Sequence, residues 1–332
     1  MVVEDSRVVQ AYLGACLRGI PDLEVVAIES DGVTAVATAL EVLPDVILMD
    51  IELPGQSGIE ATKQIMARRP TPVLVLSAHL DGADNPRPFE ALAAGAVEVI
   101  PKPDGAGFGE IDALRARLAA SLHAAMASSP RRMSAVHGIR ALATTLPPTV
   151  VAIASSTGGP AALHALLTAL PAPYACPVVV AQHIEFGFEA GLCQWLSTTG
   201  HRVEIGVVGQ RPQAGVVSVL RADANYVVDA GGAIARHPGG PERPRPSGDL
   251  LLTSVAERYG ARAMGIVLSG MGRDGSVGLR ALHERGCRTA VQDQASSVVF
   301  SMPSSALANG AATQALAPAA LAQWLLQAQE AR

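Results

Sequence analysis

The sequence is poor in aromatic residues, which make up 3% of its 332 positions. Hydrophobic residues reach 49% and charged residues only 17%, so any core must be built mainly from Ala, Val, Leu and Ile. Aliphatic side chains of this kind are typical of parallel sheets that are buried on both faces. The composition therefore favours packed α/β units, and the length suits two of them.

An excess of positive charge is also missing, since the formal net charge is -5. Without a basic field the chain has little means of holding nucleic acid phosphates or anionic lipid headgroups. No apolar run reaches the roughly 18 residues of a membrane-spanning helix. The N-terminus lacks the order of basic, apolar and small residues that marks a signal peptide. We therefore expect a cytoplasmic protein without nucleic-acid binding or membrane insertion.

Paired cysteines are absent as well. The chain has four, Cys16, Cys176, Cys193 and Cys287, which lie far apart and form no metal-ligand spacing. This pattern argues against a disulfide framework and against a zinc site. Reduced thiols are the expectation, in keeping with a cytosolic setting.

Short apolar runs alternate with segments of helical spacing in the first part of the chain. The alternation predicts a parallel sheet with right-handed crossovers. The predicted strands are residues 24–28, 46–49, 73–76 and 97–100, and the predicted helices are 32–43, 58–68 and 111–127. A connector rich in Ser, Pro and Arg follows, so we predict units at 1–127 and 149–332 joined by a linker at 128–148.

The second part of the chain repeats the alternation and predicts a doubly wound α/β unit with a mostly parallel sheet. Its predicted strands are residues 150–154, 177–182, 215–220, 263–268 and 288–291, with helices between most of them. The segment 236–248 is rich in Pro and Gly and predicts a surface loop.

Acidic side chains concentrate at predicted strand ends in the first unit. Glu4 and Asp5 follow the first apolar residues, Asp50 follows the strand at 46–49, and Ser77 and Lys102 end later strands. Because the carboxyl ends of parallel strands converge, these groups can share one crevice. Three clustered acids repel one another unless a hard divalent cation and a lysine offset them, as in magnesium sites. Taken singly, each acid is equally well a solvated loop residue.

The N-terminal part of the chain, residues 1–127, resembles the receiver domain of bacterial two-component response regulators. The resemblance implies a flavodoxin-like, five-stranded parallel sheet in which Asp50 accepts a phosphoryl group from a histidine kinase. It also implies Mg²⁺ held by Asp5 and Asp50, with Glu4 acting partly through water, and Ser77 and Lys102 contacting the phosphoryl oxygens. The matching residues are Glu4, Asp5 and Ser6, then Asp50, Pro54 and Gly58, then Ser77 and Ala78, then Lys102 and Pro103.

A serine lies on a predicted strand-turn-helix unit at the start of the second part. The strand at 150–154 runs into Ser155, Ser156, Thr157 and two glycines before an Ala- and Leu-rich helix. Ser156 on such a turn lies beside free helix N-terminal amides, which favour a developing oxyanion. The turn is not the Gly-x-Ser-x-Gly elbow. A phosphate cradle, although without the P-loop lysine, and a turn without chemistry remain open alternatives.

A serine nucleophile needs a base and an orienting carboxylate. Of eight histidines, His183 ends the strand at 177–182, where it can face the same crevice as Ser156. Asp274 lies in a glycine-rich turn after the strand at 263–268 and is the candidate carboxylate. Its alternative role is to cap the next helix. The other histidines considered lack a strand-end position, namely His164, His201, His237 and His283.

At these turns the sequence resembles the chemotaxis protein-glutamate methylesterases, over residues 149–326. The resemblance implies Ser156 as nucleophile, His183 as general base and acid, Asp274 as its orienter and the Met271 amide as oxyanion donor, without a cofactor for the ester reaction. The implied substrates are glutamate methyl esters and glutamines of methyl-accepting chemoreceptors, in chemosensory adaptation. The matching segments are 156–159, 182–183, 245–247 with Asp249, 269–275, and 292–293 with Met302 and Pro303.

One local difference bears on the substrate. His183 is followed by Ile184, Glu185 and Phe186, where the chemotaxis enzymes usually carry a proline-rich turn. This resembles relatives that serve chemosensory systems other than flagellar taxis. Two rival functions are a serine esterase of small molecules and a regulatory binding module with a vestigial triad.

Overall fold

The computed structural model describes residues 1–77, 87–102, 108–127, 148–239 and 244–330. The chain divides into two compact units, Met1–Ser129 and Pro130–Arg332. Ala78 and Pro103, two of the receiver marks, lie outside the described residues, as does nearly all of the predicted linker.

The N-terminal unit is built on a five-stranded parallel sheet with strand order β2-β1-β3-β4-β5, which confirms the predicted sheet. Its strands are β1 (Val2–Val3), β2 (Ile28–Glu29), β3 (Ile47–Asp50), β4 (Val73–Ser77) and β5 (Glu98–Pro101). Its helices are α1 (Arg7–Leu17), α2 (Gly32–Val42), α3 (Gly58–Arg68), α4 (Arg87–Ala93) and α5 (Phe108–Ala127).

The predicted strand at 24–28 is wrong in its extent, because only Ile28 and Glu29 form β2. The reason is that β2 is an edge strand whose single neighbour, β1, is two residues long. The register pairs Val2 with Ile28 on one side and with Leu48 of β3 on the other. Strand order thus reverses at β1, which opens a crevice at the carboxyl ends of β1 and β3.

Helix α3 shows how a local sequence fixes the position of a site residue. The Ser57 side chain caps its first turn by accepting from the Glu60 amide at 3.3 Å, as expected of a serine N-cap. Gly58 begins the helix directly against the Asp50 backbone carbonyl, so that a Cβ at this position would collide with it. The glycine therefore lets α3 start immediately beside the end of β3.

The C-terminal unit is built on a seven-stranded sheet with order β14-β13-β12-β6-β7-β9-β8 and parallel pairing throughout. This confirms the predicted doubly wound α/β class. The strands are β6 (Val150–Ser155), β7 (Val178–Gln182), β8 (Arg202–Ile205), β9 (Val216–Val219), β12 (Ala263–Val267), β13 (Arg288–Gln292) and β14 (Gln314–Leu316), beside an antiparallel hairpin of β10 (Tyr226–Val228) and β11 (Ile234–Arg236).

Sequence patterning missed β8, β10, β11 and β14, which are at most four residues long and therefore too short for a strand period to be recognised. The helices are α6 (Gly159–Ala169), α7 (Glu189–Ser197), α8 (Gly248–Tyr259), α9 (Ser276–Glu284), α10 (Ser301–Ala308) and α11 (Pro318–Glu330). Within the ranges given above, no helix combines the length and apolar character needed to cross a membrane.

The first strand of this unit, β6, lies in the middle of its sheet. The chain proceeds from β6 to β7, β8 and β9 on one side and then to β12, β13 and β14 on the other. Strand order therefore reverses at β6, and the crevice of the C-terminal unit opens at the carboxyl end of this strand. Small side chains on β6 allow α8 to pack closely, since a Cβ on Gly248 would lie 2.5 Å from the Ala154 Cβ.

Candidate functional site

The crevice of the N-terminal unit contains the predicted acidic cluster. Carboxylate oxygens of Glu4, Asp5 and Asp50 all lie within 4.8 Å of one another. The Lys102 Nζ atom lies 2.9 Å from Glu4 Oε2 and 2.7 Å from Asp50 Oδ2. Ser77 is buried at the end of β4, and its carbonyl accepts from the Lys102 amide at 2.8 Å. All five predicted residues therefore meet at one edge of the sheet.

The electrostatics of this cluster suit a divalent cation. Burial raises the pKa of Asp50 although Lys102 acts in the opposite direction, and burial likewise raises the pKa of Glu4. Burial alone would lower the pKa of Lys102, but its contacts with Asp50 and Glu4 raise it. One ammonium does not balance three carboxylates, and oxygen ligands of this kind are those that Mg²⁺ prefers. The residues present therefore fit the divalent metal that a receiver domain requires.

In the C-terminal unit Ser156 directly follows β6 and lies in a tight turn. Its amide donates to the Ser269 carbonyl at 3.0 Å, and its own carbonyl accepts from the Gly159 amide at 2.7 Å. Gly158 has a φ of +78°, and a Cβ there would lie 2.6 Å from the Val298 Cβ. Only glycine meets both requirements without strain. The turn therefore holds Ser156 immediately before the N-terminus of α6.

His183 and Asp274 are in direct contact, with 2.7 Å between His183 Nε2 and Asp274 Oδ2. The Asp274 Oδ1 atom accepts from Ser247 Oγ and from the Asp249 amide, each at 3.0 Å. The Gly248 amide donates to Oδ2 at 2.5 Å. Asp274 therefore does cap a helix, but that helix is α8 and not α9, the next one along the chain.

The capping contacts have an electrostatic consequence. Burial by itself would raise the pKa of Asp274. The hydrogen bond from His183, the charge of His183 and the hydrogen bonds from the α8 amides outweigh burial, so the pKa of Asp274 is lowered. Asp274 is therefore an ionised carboxylate whose position is fixed from two sides. Such a group orients an imidazole and stabilises its protonated form.

Ser156 and His183 are placed side by side by the sheet. Ser155 and Gln182 are register partners on β6 and β7, and the His183 amide donates to the Ser155 carbonyl at 2.9 Å. Ser156 and His183 directly follow these two partners, whose strands lie about 5 Å apart. Within the described part of the chain, neither Ser156 Oγ nor His183 Nδ1 has a hydrogen-bond partner. Because Nε2 is occupied by Asp274, Nδ1 is the ring nitrogen that remains for the serine.

Gln182 joins the two residues, a role that sequence reasoning missed. Its side chain is buried and accepts from Ser155 Oγ at 2.6 Å through Oε1. Through Nε2 it donates to the Ser156 carbonyl at 2.9 Å and to the His183 carbonyl at 2.8 Å. The sequence signals were its position, one residue before the candidate base at the end of a strand, and its place in the matching segment 182–183, neither of which assigned it a role.

Met271, the predicted oxyanion donor, lies in the turn that passes Ser156. A Cβ on Gly270 would lie 2.7 Å from the Ser156 Cβ, so the turn and the serine are in close contact. Ser301, which sequence reasoning missed, donates to the Gly270 carbonyl at 2.9 Å and accepts from the Gly272 amide at 3.0 Å. The turn is thus held on both sides of Met271, whose own N–H has no partner among the described residues.

Two of the other candidate histidines are engaged elsewhere. His164 stacks on Trp195 with ring centroids 4.6 Å apart. His201 is buried, with its Nε2 atom 3.0 Å from the Leu167 carbonyl. Neither of these two histidines is therefore placed to act as the base for Ser156.

One unit has a receiver-type acidic crevice. The other has Ser156 and the His183–Asp274 pair at its sheet crevice. Together these sites define a response regulator with a hydrolase-type output unit. Comparison with known families agrees with this class. Residues 151–325 match the family model described as CheB methylesterase, and residues 1–108 match the response regulator receiver domain. The chain belongs to the CheB methylesterase family.

Similar proteins cover nearly the whole chain. One is "Protein-glutamate methylesterase/protein-glutamine glutaminase 3" of Anaeromyxobacter dehalogenans, 41% identical over 98% of this chain and 97% of the relative. A protein of the same name from Myxococcus xanthus is 39% identical over 98% of this chain and 92% of the relative. Among solved structures, the Thermotoga maritima CheB methylesterase catalytic domain has a TM-score of 0.52 and 29% identity, covering 55% of this chain and 99% of that one.

Proposed function

We propose that this protein is a phosphorylation-regulated protein-glutamate methylesterase and protein-glutamine deamidase that acts on methyl-accepting chemoreceptors. The observation that carries the proposal is the contact of His183 with Asp274 at the sheet crevice where Ser156 lies. The names of the similar proteins supply the substrate class. The proposed units are a receiver at 1–127, a linker at 128–148 and a catalytic domain at 149–332.

The reaction begins when Ser156 Oγ attacks the γ-carbonyl carbon of a methylated glutamate. The hydroxyl proton passes to His183 Nδ1, and the ionised Asp274 stabilises the resulting imidazolium through Nε2. The imidazolium then protonates the departing methoxide, which leaves as methanol, and an acyl-enzyme remains. Water attacks this ester with His183 again as the base, releasing glutamate and restoring the serine. With glutamine the first leaving group is ammonia.

The tetrahedral intermediates carry a negative oxygen that needs donors. The Met271 N–H, held by the contacts of Ser301 with its two neighbours, is one such donor. The N-terminus of α6 directly after Ser156 adds a positive dipole end. These groups are all supplied by the protein, so we propose that the ester reaction needs no cofactor.

Control is assigned to the receiver. Asp50 accepts a phosphoryl group from the histidine kinase of the chemosensory system, with Ser77 and Lys102 contacting the phosphoryl oxygens. Glu4, Asp5 and Asp50 are the residues that would hold Mg²⁺, which when bound neutralises charge on the transferring group. We propose that the unphosphorylated receiver restrains the esterase and that phosphorylation relieves this restraint through the linker.

The test is release of methanol from methylated chemoreceptors by the full chain, with and without a small phosphodonor. We expect release that rises with the phosphodonor and is lost in Ser156→Ala. Retained release in Ser156→Ala would refute the nucleophile, and hydrolysis of small esters without release from receptors would favour the rival general esterase. Equal activity of the full chain and of residues 149–332 would contradict the proposed restraint.

A further inference from the structure

The loop after β7 exposes an aromatic ring close to the proposed base. Phe186 follows His183 by three residues, and 57% of its surface is exposed. The Arg221 guanidinium, from the loop after β9, lies 5.7 Å from the centre of this ring. A cation over an aromatic face at this distance is attracted by the ring. The two loops therefore present one joint surface of apolar and cationic character.

The buried carboxylate of Glu189 fixes both loops of this surface. Glu189 is 3% exposed, and its two oxygens accept from backbone amides of different loops. Oε2 accepts from the Gly187 amide at 2.7 Å, and Oε1 accepts from the Ala222 amide at 2.6 Å. Each bonded amide is adjacent in sequence to one member of the Phe186–Arg221 pair. Charge-assisted bonds of this kind hold the two loops in a set relation.

The loop after β9, which carries Arg221, is also connected to the proposed triad. Asn225 Oδ1 accepts from the Ser247 amide at 2.8 Å, and Ser247 Oγ donates to Asp274 Oδ1 at 3.0 Å. In the sheet, β7 lies between β6 and β9. The loop that carries Arg221 is therefore on the side of His183 opposite to Ser156, at the edge of the same crevice.

The charges of this edge favour an acidic partner. Arg221 forms no ion pair with any described residue, and neither does the exposed Arg273, which directly precedes Asp274. Asp223 interacts with Arg221 at longer range, and the charges of Arg221 and Arg236 both help to lower its pKa. Its direct contacts are with Arg236 and with Tyr226 Oη, the latter at 2.6 Å, so this one carboxylate faces two guanidiniums. Arg221 therefore presents a guanidinium over the exposed Phe186 ring that is in no contact ion pair with a described carboxylate.

We infer that Phe186 and Arg221 form a recognition surface for an acidic segment of the substrate protein, next to the glutamate whose ester is hydrolysed. Phe186 covers apolar side chains of this segment, and Arg221 pairs with one of its carboxylates. The inference rests on the proposed function and adds to it the chemistry that selects the substrate. The two residues are specificity-determining and take no part in bond making or breaking.

The first test compares a receptor with a small ester on the full chain. For Arg221→Glu and Phe186→Ala we expect kcat/KM for methanol release from methylated receptor to fall about fivefold or more, mainly through KM. Hydrolysis of an N-acetyl glutamate amide γ-methyl ester should remain unchanged, which also shows that the variants fold. Arg258→Glu is the matched control, since Arg258 lies 5.2 Å over the Tyr259 ring and outside the crevice.

The second test exchanges charges. A receptor in which an acidic residue close in sequence to the methylated glutamate is replaced by lysine should be a poor substrate for the wild type and a better one for Arg221→Glu. Added salt should raise KM for the wild type and have less effect on the variant.

Two results would overturn the inference: unchanged receptor kinetics in both variants, or equal losses on receptor and small ester. Failure of the proposed function gives a different result, because wild type would then release no methanol from receptor at all. In that case the inference falls with it.

Discussion

The Asp274 carboxylate is shared between His183 and the first amides of helix α8. One oxygen contacts His183 Nε2 at 2.7 Å, and the carboxylate accepts from the Gly248 and Asp249 amides at 2.5 and 3.0 Å. A helix N-terminus stabilises a negative charge in this position. The same contacts that begin α8 therefore hold the proposed base in one tautomer, with Nδ1 directed to accept a proton.

Replacing Asp274 by asparagine should remove the charge and preserve the shape of the side chain. We expect kcat for methanol release to fall by about 10³ to 10⁴, with little change in KM, because the imidazole loses both its tautomer and its counter-charge. Steady-state kinetics on methylated receptor measure this. A loss of less than about tenfold would show that Asp274 only caps α8.

Asp274 also predicts a pH dependence of stability. Its folded-state pKa is lowered, so the stability that it contributes is present above the unfolded pKa of about 3.9 and is lost as the pH falls through the folded value. The difference in the free energy of unfolding between wild type and Asp274→Asn should therefore shrink as the pH falls through the acid range. Urea unfolding at a series of pH values tests this. A difference that grew in acid would contradict the lowered pKa.

Gln182 should act on rate as well as on stability. Gln182→Ala leaves Ser155 Oγ and the His183 carbonyl without a partner, at a cost of about 1–3 kcal/mol in unfolding free energy. The Ser156 carbonyl loses one of its two donors and keeps the Gly159 amide. We expect kcat to fall at least tenfold, because about 1 Å of misplacement between nucleophile and base is costly. The control is Ser254→Ala, whose buried hydroxyl bonds Val228 and Leu251. It should lose stability and keep its rate.

Gly270 should tolerate no side chain. A methyl group at this position would lie 2.7 Å from the Ser156 Cβ, so Gly270→Ala is expected to displace the serine or the Met271 turn and to abolish hydrolysis. Gly310→Ala is the control, because Gly310 has a φ of +71° and open space around it. That variant should lose about 1 kcal/mol of stability through backbone strain and remain active. Wild-type kinetics in Gly270→Ala would show that the turn is free to move.

Removal of divalent metal should separate regulation from chemistry. A chelator is expected to abolish the increase in methanol release caused by a phosphodonor, since Glu4, Asp5 and Asp50 lose the ion that they would share. Basal hydrolysis should stay the same, and Asp50→Asn should behave like the chelated wild type. Loss of basal hydrolysis on chelation would contradict an ester reaction that needs no cofactor.

Sequence alone determined the architecture of both units and the strand ends at which Ser156 and His183 lie. This was possible because apolar runs alternate with segments of helical spacing, and each pattern indicates which residues of an element are buried. In addition, the carboxyl ends of neighbouring parallel strands lie at the same edge of the sheet. Short half-buried strands such as β8 and β14 leave no such pattern, and they were missed. The edge strand β2 was overextended because its length depends on its neighbour and not on its own residues.

Only the tertiary structure decided which atoms meet. Asp274 caps α8, whose first turn is more than 20 residues earlier in the chain. Gln182 joins Ser156 to His183, and Glu189 fixes the loops of Phe186 and Arg221. Such bonds link polar groups that are distant in sequence. They form only when the packing of the whole sheet removes these groups from water, so that each can bond only to the other. The periodicity of a single segment therefore does not predict which distant polar groups will pair.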